Sequence, residues 1–179
     1  GCDNSGDVTN NRTTTALNIY MGGLVGQMPN KSLIVKNCTI SGTLTNKASG
    51  GKATLGAVAG ICYDNTITDT HSTMSINNAY ANQYIGGFIG QVESDKTTVM
   101  SNCSIAADVV SKGAGYSGMF VGRLTDKAGT ITTTLSNIWV KGSFEGTTLT
   151  AENYKTYCYG TESDYKVTDN INFGDFKKN

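Results

Sequence analysis

Apolar and polar positions alternate strictly from Cys38 to Thr45, with Cys38, Ile40, Gly42 and Leu44 on one side and Thr39, Ser41, Thr43 and Thr45 on the other. A period of two predicts a strand with one buried face. The pattern reads Asn-Cys-x-x-x-Gly-x-aliphatic and returns along the chain. Asn102-Cys103 leads through Ile105 and Ala107 to Val109, and Asn137-Ile138 leads through Val140 and Gly142 to Phe144. Asp69-Thr70 with Ser72, Met74 and Ile76 is a degenerate copy. Cys2, Asn4, Gly6 and Val8 form a first copy that begins in mid-repeat, and Asn170 to Phe176 a last one shortened by one residue. Equivalent positions therefore fall at 2, 38, 70, 103, 138 and 171, with spacings of 36, 32, 33, 35 and 33. Near-constant spacing with tolerated length changes predicts loops on a repeating scaffold.

A second pattern keeps step with the first: Gly23-Leu24-Val25-Gly26, Ala57-Val58-Ala59-Gly60, Gly87-Phe88-Ile89-Gly90 and Met119-Phe120-Val121-Gly122, preceded by Gly22, Gly56, Gly86 and Gly118. Apolar residues occupy both parities here, which predicts a strand covered on both faces. Glycines beside bulky residues leave room for a neighbouring backbone or ring to approach closely. Six residues before the closing glycines stand Tyr20, Tyr84 and Tyr116, with Thr54 in the second repeat and Tyr154 before Gly160. A tyrosine row is thus expected along the stack. It has two candidate roles: rings packed over the glycines, or an aromatic strip that grips a sugar face or a partner protein.

A third strand per repeat is expected at Leu33 to Val35, Thr66 to Thr68, Thr97 to Met100 and Thr130 to Leu135. Three strands per repeat of identical register give an all-β parallel β-helix, or β-solenoid, of about five coils, near 25 Å tall at about 4.8 Å per coil. The recurring Asn37, Asp69, Asn102, Asn137 and Asn170 occupy turns whose side chains bond nearby backbone, or else form an internal amide ladder. The chain reads as one repeat domain over 1–179, with coils starting near 2, 38, 70, 103 and 138 and an atypical cap over 150–179. Ala151 to Tyr157 is the one expected helical turn. Because Gly1-Cys2 already lies inside a repeat, the expectation is a fragment of a larger exported protein, with neighbouring domains and any export signal beyond it.

Tyr20-Met21-Gly22-Gly23-Leu24-Val25-Gly26 and Tyr84-Ile85-Gly86-Gly87-Phe88-Ile89-Gly90, each followed by an Asn-Cys strand, resemble the GLUG-type repeats of bacterial surface proteins. Such repeats occur in adhesin-like proteins and in non-catalytic parts of immunoglobulin A-specific metalloproteases. The resemblance covers residues 2 to 160 and implies an extracellular or cell-surface β-solenoid. It weakens at Ala57 and Met119, where the first core glycine is lost, and at Tyr157-Cys158-Tyr159-Gly160.

Composition fits this picture: 22 Gly, one Pro and 38% hydrophobic residues favour turn-rich β structure with an adequate core. Fourteen basic residues balance fourteen acidic ones, so no net field draws nucleic acid or an anionic membrane. No apolar run is long enough for a transmembrane helix. The five cysteines, Cys2, Cys38, Cys62, Cys103 and Cys158, fit neither a disulfide framework nor a zinc site. Cys2, Cys38 and Cys103 fall in one repeat column and are expected as stacked, buried, reduced thiols, and a bridge between Cys2 and Cys38 would need local distortion.

Candidate chemistry is sparse. His71 is the only histidine, on the outward parity of its strand, and no Gly-x-Ser-x-Gly elbow or His-Glu-x-x-His motif accompanies it. The acids Asp64, Asp69, Glu93, Asp95, Asp108, Asp126, Glu145, Glu152, Glu162 and Asp164 are scattered, whereas glycoside cleavage needs a facing pair. The threonine rows are too irregular for an ice-binding face. No catalytic residue, metal ligand or cofactor is expected. Two function classes remain: a non-catalytic surface module that binds a host or matrix protein or glycan, or spaces a distal domain, and a polysaccharide-active β-helix enzyme, either hydrolase or lyase.

Overall fold

The computed structural model describes residues 1–12, 18–28, 32–48, 51–80, 84–93, 97–112, 115–124, 132–161 and 166–177. The acids Asp95, Asp126, Glu162 and Asp164, and Thr130 and Ile131, lie outside the described residues. The chain forms a parallel β-solenoid. Every pairing between successive coils is parallel, and Cys2 aligns with Cys38, Ile40 with Ser72, Ser72 with Ile105 and Ile105 with Val140. The expected aliphatic column is present: Val8, Leu44, Ile76, Val109 and Phe144 stand in register.

One coil shows the cross-section. Cys38–Ser41 and Thr43–Asn46 flank a kink at Gly42, whose φ of 103° suits glycine. Ala53–Gly56, Ala59–Cys62 and Asn65–Thr68 complete the turn. The strands assemble into sheets of thirteen, four and five strands. In Leu33–Lys36 buried and exposed residues alternate, as the period of two predicts.

The Gly-x-x-Gly segment departs from the expected single strand. Strands end at Gly22, Gly56, Gly86 and Gly118, and new ones begin at Val25, Ala59, Ile89 and Val121, so the segment bends between two different sheets. Parity is lost at the bend, and this explains the apolar residues on both parities: Ala57, Val58 and Ala59 are all fully buried, as are Met119, Phe120 and Val121. The bends bond to one another between coils, Val58 N–H donating to the Phe88 carbonyl at 2.9 Å and Phe88 N–H to that of Phe120 at 3.0 Å. Phe88 and Phe120 stack at this inner corner with centroids 6.2 Å apart.

The closing glycines admit backbone, not rings. A methyl at Gly90 would stand 2.6 Å from the Gly60 carbonyl oxygen and 2.7 Å from the Leu55 amide nitrogen. Adjacent coils and adjacent sheets therefore meet at these positions at a separation that a side chain would prevent.

The stack has about four regular turns, because the fifth coil replaces the strand that ends at Gly22, Gly56, Gly86 and Gly118 with the helix Tyr154–Tyr157. This cap returns through Tyr159–Thr161 and Lys166–Phe173 to the two other sheets. No helix among the described residues is long and apolar enough to cross a membrane.

A polar column also runs inside. Asn46 and Asn78 are fully buried, Asn10 Nδ2 donates to Asn46 Oδ1 and Asn46 Nδ2 to Asn78 Oδ1, both at 2.9 Å, and Asn78 Nδ2 donates to the Ser111 carbonyl at 3.0 Å. The internal amide ladder thus exists at residues 10, 46 and 78, away from the Asn37 column. Each amide satisfies its neighbour, which offsets the cost of burying it.

The thiols are free, and Cys38, Cys62, Cys103 and Cys158 are buried, but Cys2 is exposed against expectation, because its strand Cys2–Ser5 lies at the sheet edge and, among the described residues, pairs only with Cys38–Ser41. Thr70 stands between Cys38 and Cys103 in their column, so these two do not stack directly. Burial pushes the Cys62 thiol up to about 12 and that of Cys103 to about 11.

Two outcomes are expected. Gly90→Ala lowers stability by about 2 to 4 kcal/mol in denaturant melts, whereas Gly6→Ala, where nothing lies within 4 Å, stays within about 0.5 kcal/mol of the parent. Iodoacetamide at pH 8 labels Cys2 alone in the native protein by intact mass, the four buried thiols reacting only after unfolding.

Candidate functional site

Two outer surfaces carry chemistry. The first is the tyrosine row. Tyr20, Thr54, Tyr84 and Tyr116 occupy one register column of the four-stranded sheet, on consecutive coils. Their rings are half-buried, and those of Tyr84 and Tyr116 lie 5.7 Å apart, tilted by 40°. The Arg123 guanidinium reaches over both, 4.9 Å from the Tyr84 centroid and 5.8 Å from that of Tyr116, while Lys52 Nζ lies 5.9 Å from Tyr84. These are cation–π distances. A shallow groove of about 180 Å³ runs here, with Tyr20 and Tyr84 facing Glu93 and Arg123.

Tyr154 does not belong to this row. It sits in the capping helix, where its hydroxyl donates to Asp169 at 3.4 Å and its ring packs on Phe173 at 5.8 Å. The sequence spacing is right, but the helix carries the residue off the sheet column.

The second surface lies at the corner preceding the Asn-Cys strand. Asn37, Asp69, Asn102 and Asn137 all adopt left-handed φ, between 48° and 53°, a conformation that Asn and Asp tolerate better than other side chains. They form turns, as expected, and their side chains point outward. Asn137 Nδ2 donates to Asn102 Oδ1 at 3.0 Å, and Asn102 Nδ2 to Asp69 Oδ1 at 3.3 Å. Asn170 keeps its place before Ile171, which pairs with Ile138, but it does not form the expected turn: it lies inside the strand Lys166–Phe173, at a register shift between Leu135 and Ile138.

The next outward column aligns Thr39, His71, Ser104 and Trp139. His71 Nδ1 and Ser104 Oγ are 2.9 Å apart, and Trp139 Nε1 donates to Asn137 Oδ1 at 3.0 Å. After Gly174, whose φ is 110°, the C-terminal residues turn back across this face. Asp175 pairs with Lys141 at 2.8 Å, and the Phe176 ring reaches His71 at 4.2 Å and Trp139 at 6.5 Å. Between Phe176, His71 and the Asn/Asp rungs a cavity of about 370 Å³ remains.

Sequence reasoning placed His71 correctly on the outer parity but missed this cleft. The signal available was the Asn/Asp column beside the single His and single Trp; the missing part was the returning tail, since Asp175 and Phe176, expected within a last repeat copy, leave the strand after Phe173 and fold back on Lys141 and His71.

Four described carboxylates link successive coils. Asp7 accepts from Thr43 N–H and Oγ, both at 2.8 Å, Asp64 from Thr97 N–H at 2.8 Å, and Asp108 from Ser143 N–H and Oγ at 3.2 and 2.6 Å. Glu145 accepts from Lys112 N–H at 2.9 Å. Each bridges one coil to the next. Among the described residues no group of three or more His, Cys, Asp or Glu is placed to hold a metal ion.

Burial pushes the His71 imidazole below its ordinary value, while the Asp69 carboxylate pulls it upward more weakly. Because the folded state binds this proton less readily than the unfolded chain, stability holds above the usual imidazole range and falls as pH drops through about 6.5. His71→Gln is expected to flatten the melting temperature profile between about pH 7 and pH 5.5, the pH window above most carboxylate titration.

Comparison with protein-family models, curated proteins and solved structures gives no match to this chain, so the reading of both surfaces rests on their own geometry.

Proposed function

We propose that this chain is a non-catalytic binding module of a bacterial cell-surface protein, which holds a host or matrix ligand on a rigid β-solenoid. The observation that carries this reading is the tyrosine row. Tyr20, Tyr84 and Tyr116 stand on one column of a regular sheet with half-exposed rings, and Arg123 covers the last two. Aromatic rings held by a sheet present apolar faces with polar tips at little cost in lost side-chain freedom, the chemistry that protein and sugar contacts favour. The resemblance of Tyr84 to Gly90 to GLUG-type repeats adds the exported, adhesin-like setting, in which the same stack also spaces neighbouring domains.

The test is a glycan and host-protein binding array probed with the recombinant chain, alongside a polysaccharide panel assayed for cleavage products. Retention of a ligand is expected, with affinity lost in Tyr84→Ala and Tyr116→Ala. Each substitution is expected to cost only about 1 kcal/mol of stability, since the rings are half-buried. Hydrolysis or elimination products from the panel would overturn the reading.

A further inference from the structure

We propose that the cleft between Phe176 and the Asp69–Asn102–Asn137 ladder is a binding site for a neutral sugar ring that presents vicinal hydroxyls. The inference rests on the reading of the chain as a binding module, and it assigns a ligand class to a surface separate from the tyrosine row.

The floor is a ladder of planar side-chain groups, one per coil. Along it each bond uses one amide hydrogen and one oxygen lone pair: Asn137 donates to Asn102 and Asn102 donates to Asp69. A carboxamide has two N–H donors and an oxygen with two lone pairs, and a carboxylate has two acceptor oxygens. Trp139 Nε1 and Asn172 Nδ2 occupy the Asn137 oxygen, at 3.0 and 3.4 Å, so donor and acceptor capacity remains on Asn102 and Asp69, which line the cavity. The Asp69 carboxylate ends the ladder as acceptor, and a carboxylate accepts from two neighbouring hydroxyls at once. Repetition of coils at about 4.8 Å places further amides where substituents of the same ring reach them.

The wall is aromatic. Phe176 stands against His71 with centroids 4.2 Å apart and tilted by 49°, and meets Trp139 edge-on at 6.5 Å. An apolar ring face beside convergent polar groups is the composition of small-ligand clefts, and a sugar matches it with one C–H face and a hydroxyl rim. At about 370 Å³ the cavity is at the low end of the range for such clefts, which suits one or two sugar rings.

Charge selects among ligands. Asp69 in the floor repels carboxylate, sulfate and phosphate, and His71 stays neutral near pH 7 because burial disfavours its charged form. The nearest aromatic-bound cation, Lys177, lies over Trp139 at 5.9 Å and not in the floor. A neutral polyol therefore fits better than an anion.

The probe is an array of short neutral gluco-, galacto- and manno-oligosaccharides with their sialylated counterparts, followed by titration of retained sugars. Trp139 is the only tryptophan and touches the wall, so its emission reports on this cleft alone. Neutral sugars are expected to bind in preference to sialylated ones and to shift Trp139 emission. Phe176→Ala and Asp69→Asn each weaken binding by about tenfold, the scale of one stacked ring or one charge-assisted hydrogen bond, while Gly6→Ala, outside both surfaces, leaves it unchanged. Phe176 lies in the terminal tail, and Asn keeps the left-handed corner at 69, so both variants fold.

Sugar binding that survives Phe176→Ala and Asp69→Asn but is lost in Tyr84→Ala would overturn the cleft and keep the module. Retention of host protein without any sugar would do the same. Failure of every ligand on both arrays would overturn both.

Discussion

Backbone hydrogen bonding between successive coils, in fixed register, is the constraint on which the rest of this structure depends. Each strand finds its partners about one repeat away, and the corners follow the same rule: Ala57 N–H donates to the Gly87 carbonyl at 3.1 Å and Asn102 N–H to that of Ser136 at 3.0 Å. A parallel ladder of this kind brings equivalent positions face to face at about 4.8 Å. Whatever stands at one position must therefore be compatible with its copies above and below.

That compatibility explains the columns. Aliphatic residues fill the interior because like packs on like without voids. Asparagine is tolerated at 10, 46 and 78 because a carboxamide donates on one side and accepts on the other, so a stack of them satisfies itself. Glycine recurs where two backbones meet, as at Gly60 and Gly90. On the outside, carboxylates such as Asp7 and Asp108 clip a hydroxyl and an amide of the next coil. Charge of one sign is not stacked on itself there: the 108 column places Asp108 between Ser75 and Ser143.

Both outer surfaces arise from the same geometry. A rigid ladder turns a residue repeated in the chain into a row in space, which gives the tyrosines and the corner Asn/Asp side chains a shared spacing and direction. At the Asn/Asp corner the tail breaks the periodicity. By laying Asp175 against Lys141 and Phe176 against His71, it converts an open row of amides into a cleft with a wall.

The sequence alone determined the periodic part of this protein. Alternation at Cys38 to Thr45, near-constant spacing and the Asn/Asp column fixed the solenoid, the core face and the corners, because a stacked fold writes each structural position several times. It also placed Tyr20, Tyr84 and Tyr116 in one row and foresaw the departure of the last coil. The tertiary structure alone decided what happens once. Whether apolar residues on both parities at Ala57 to Ala59 mean a covered strand or a bend depends on the dihedral path, which alternation does not record. Tyr154 kept its spacing and left its row because a helix rises less per residue than a strand. The contact of Phe176 with His71 joins residues more than three coils apart in the chain, and no local pattern carries a contact made a single time.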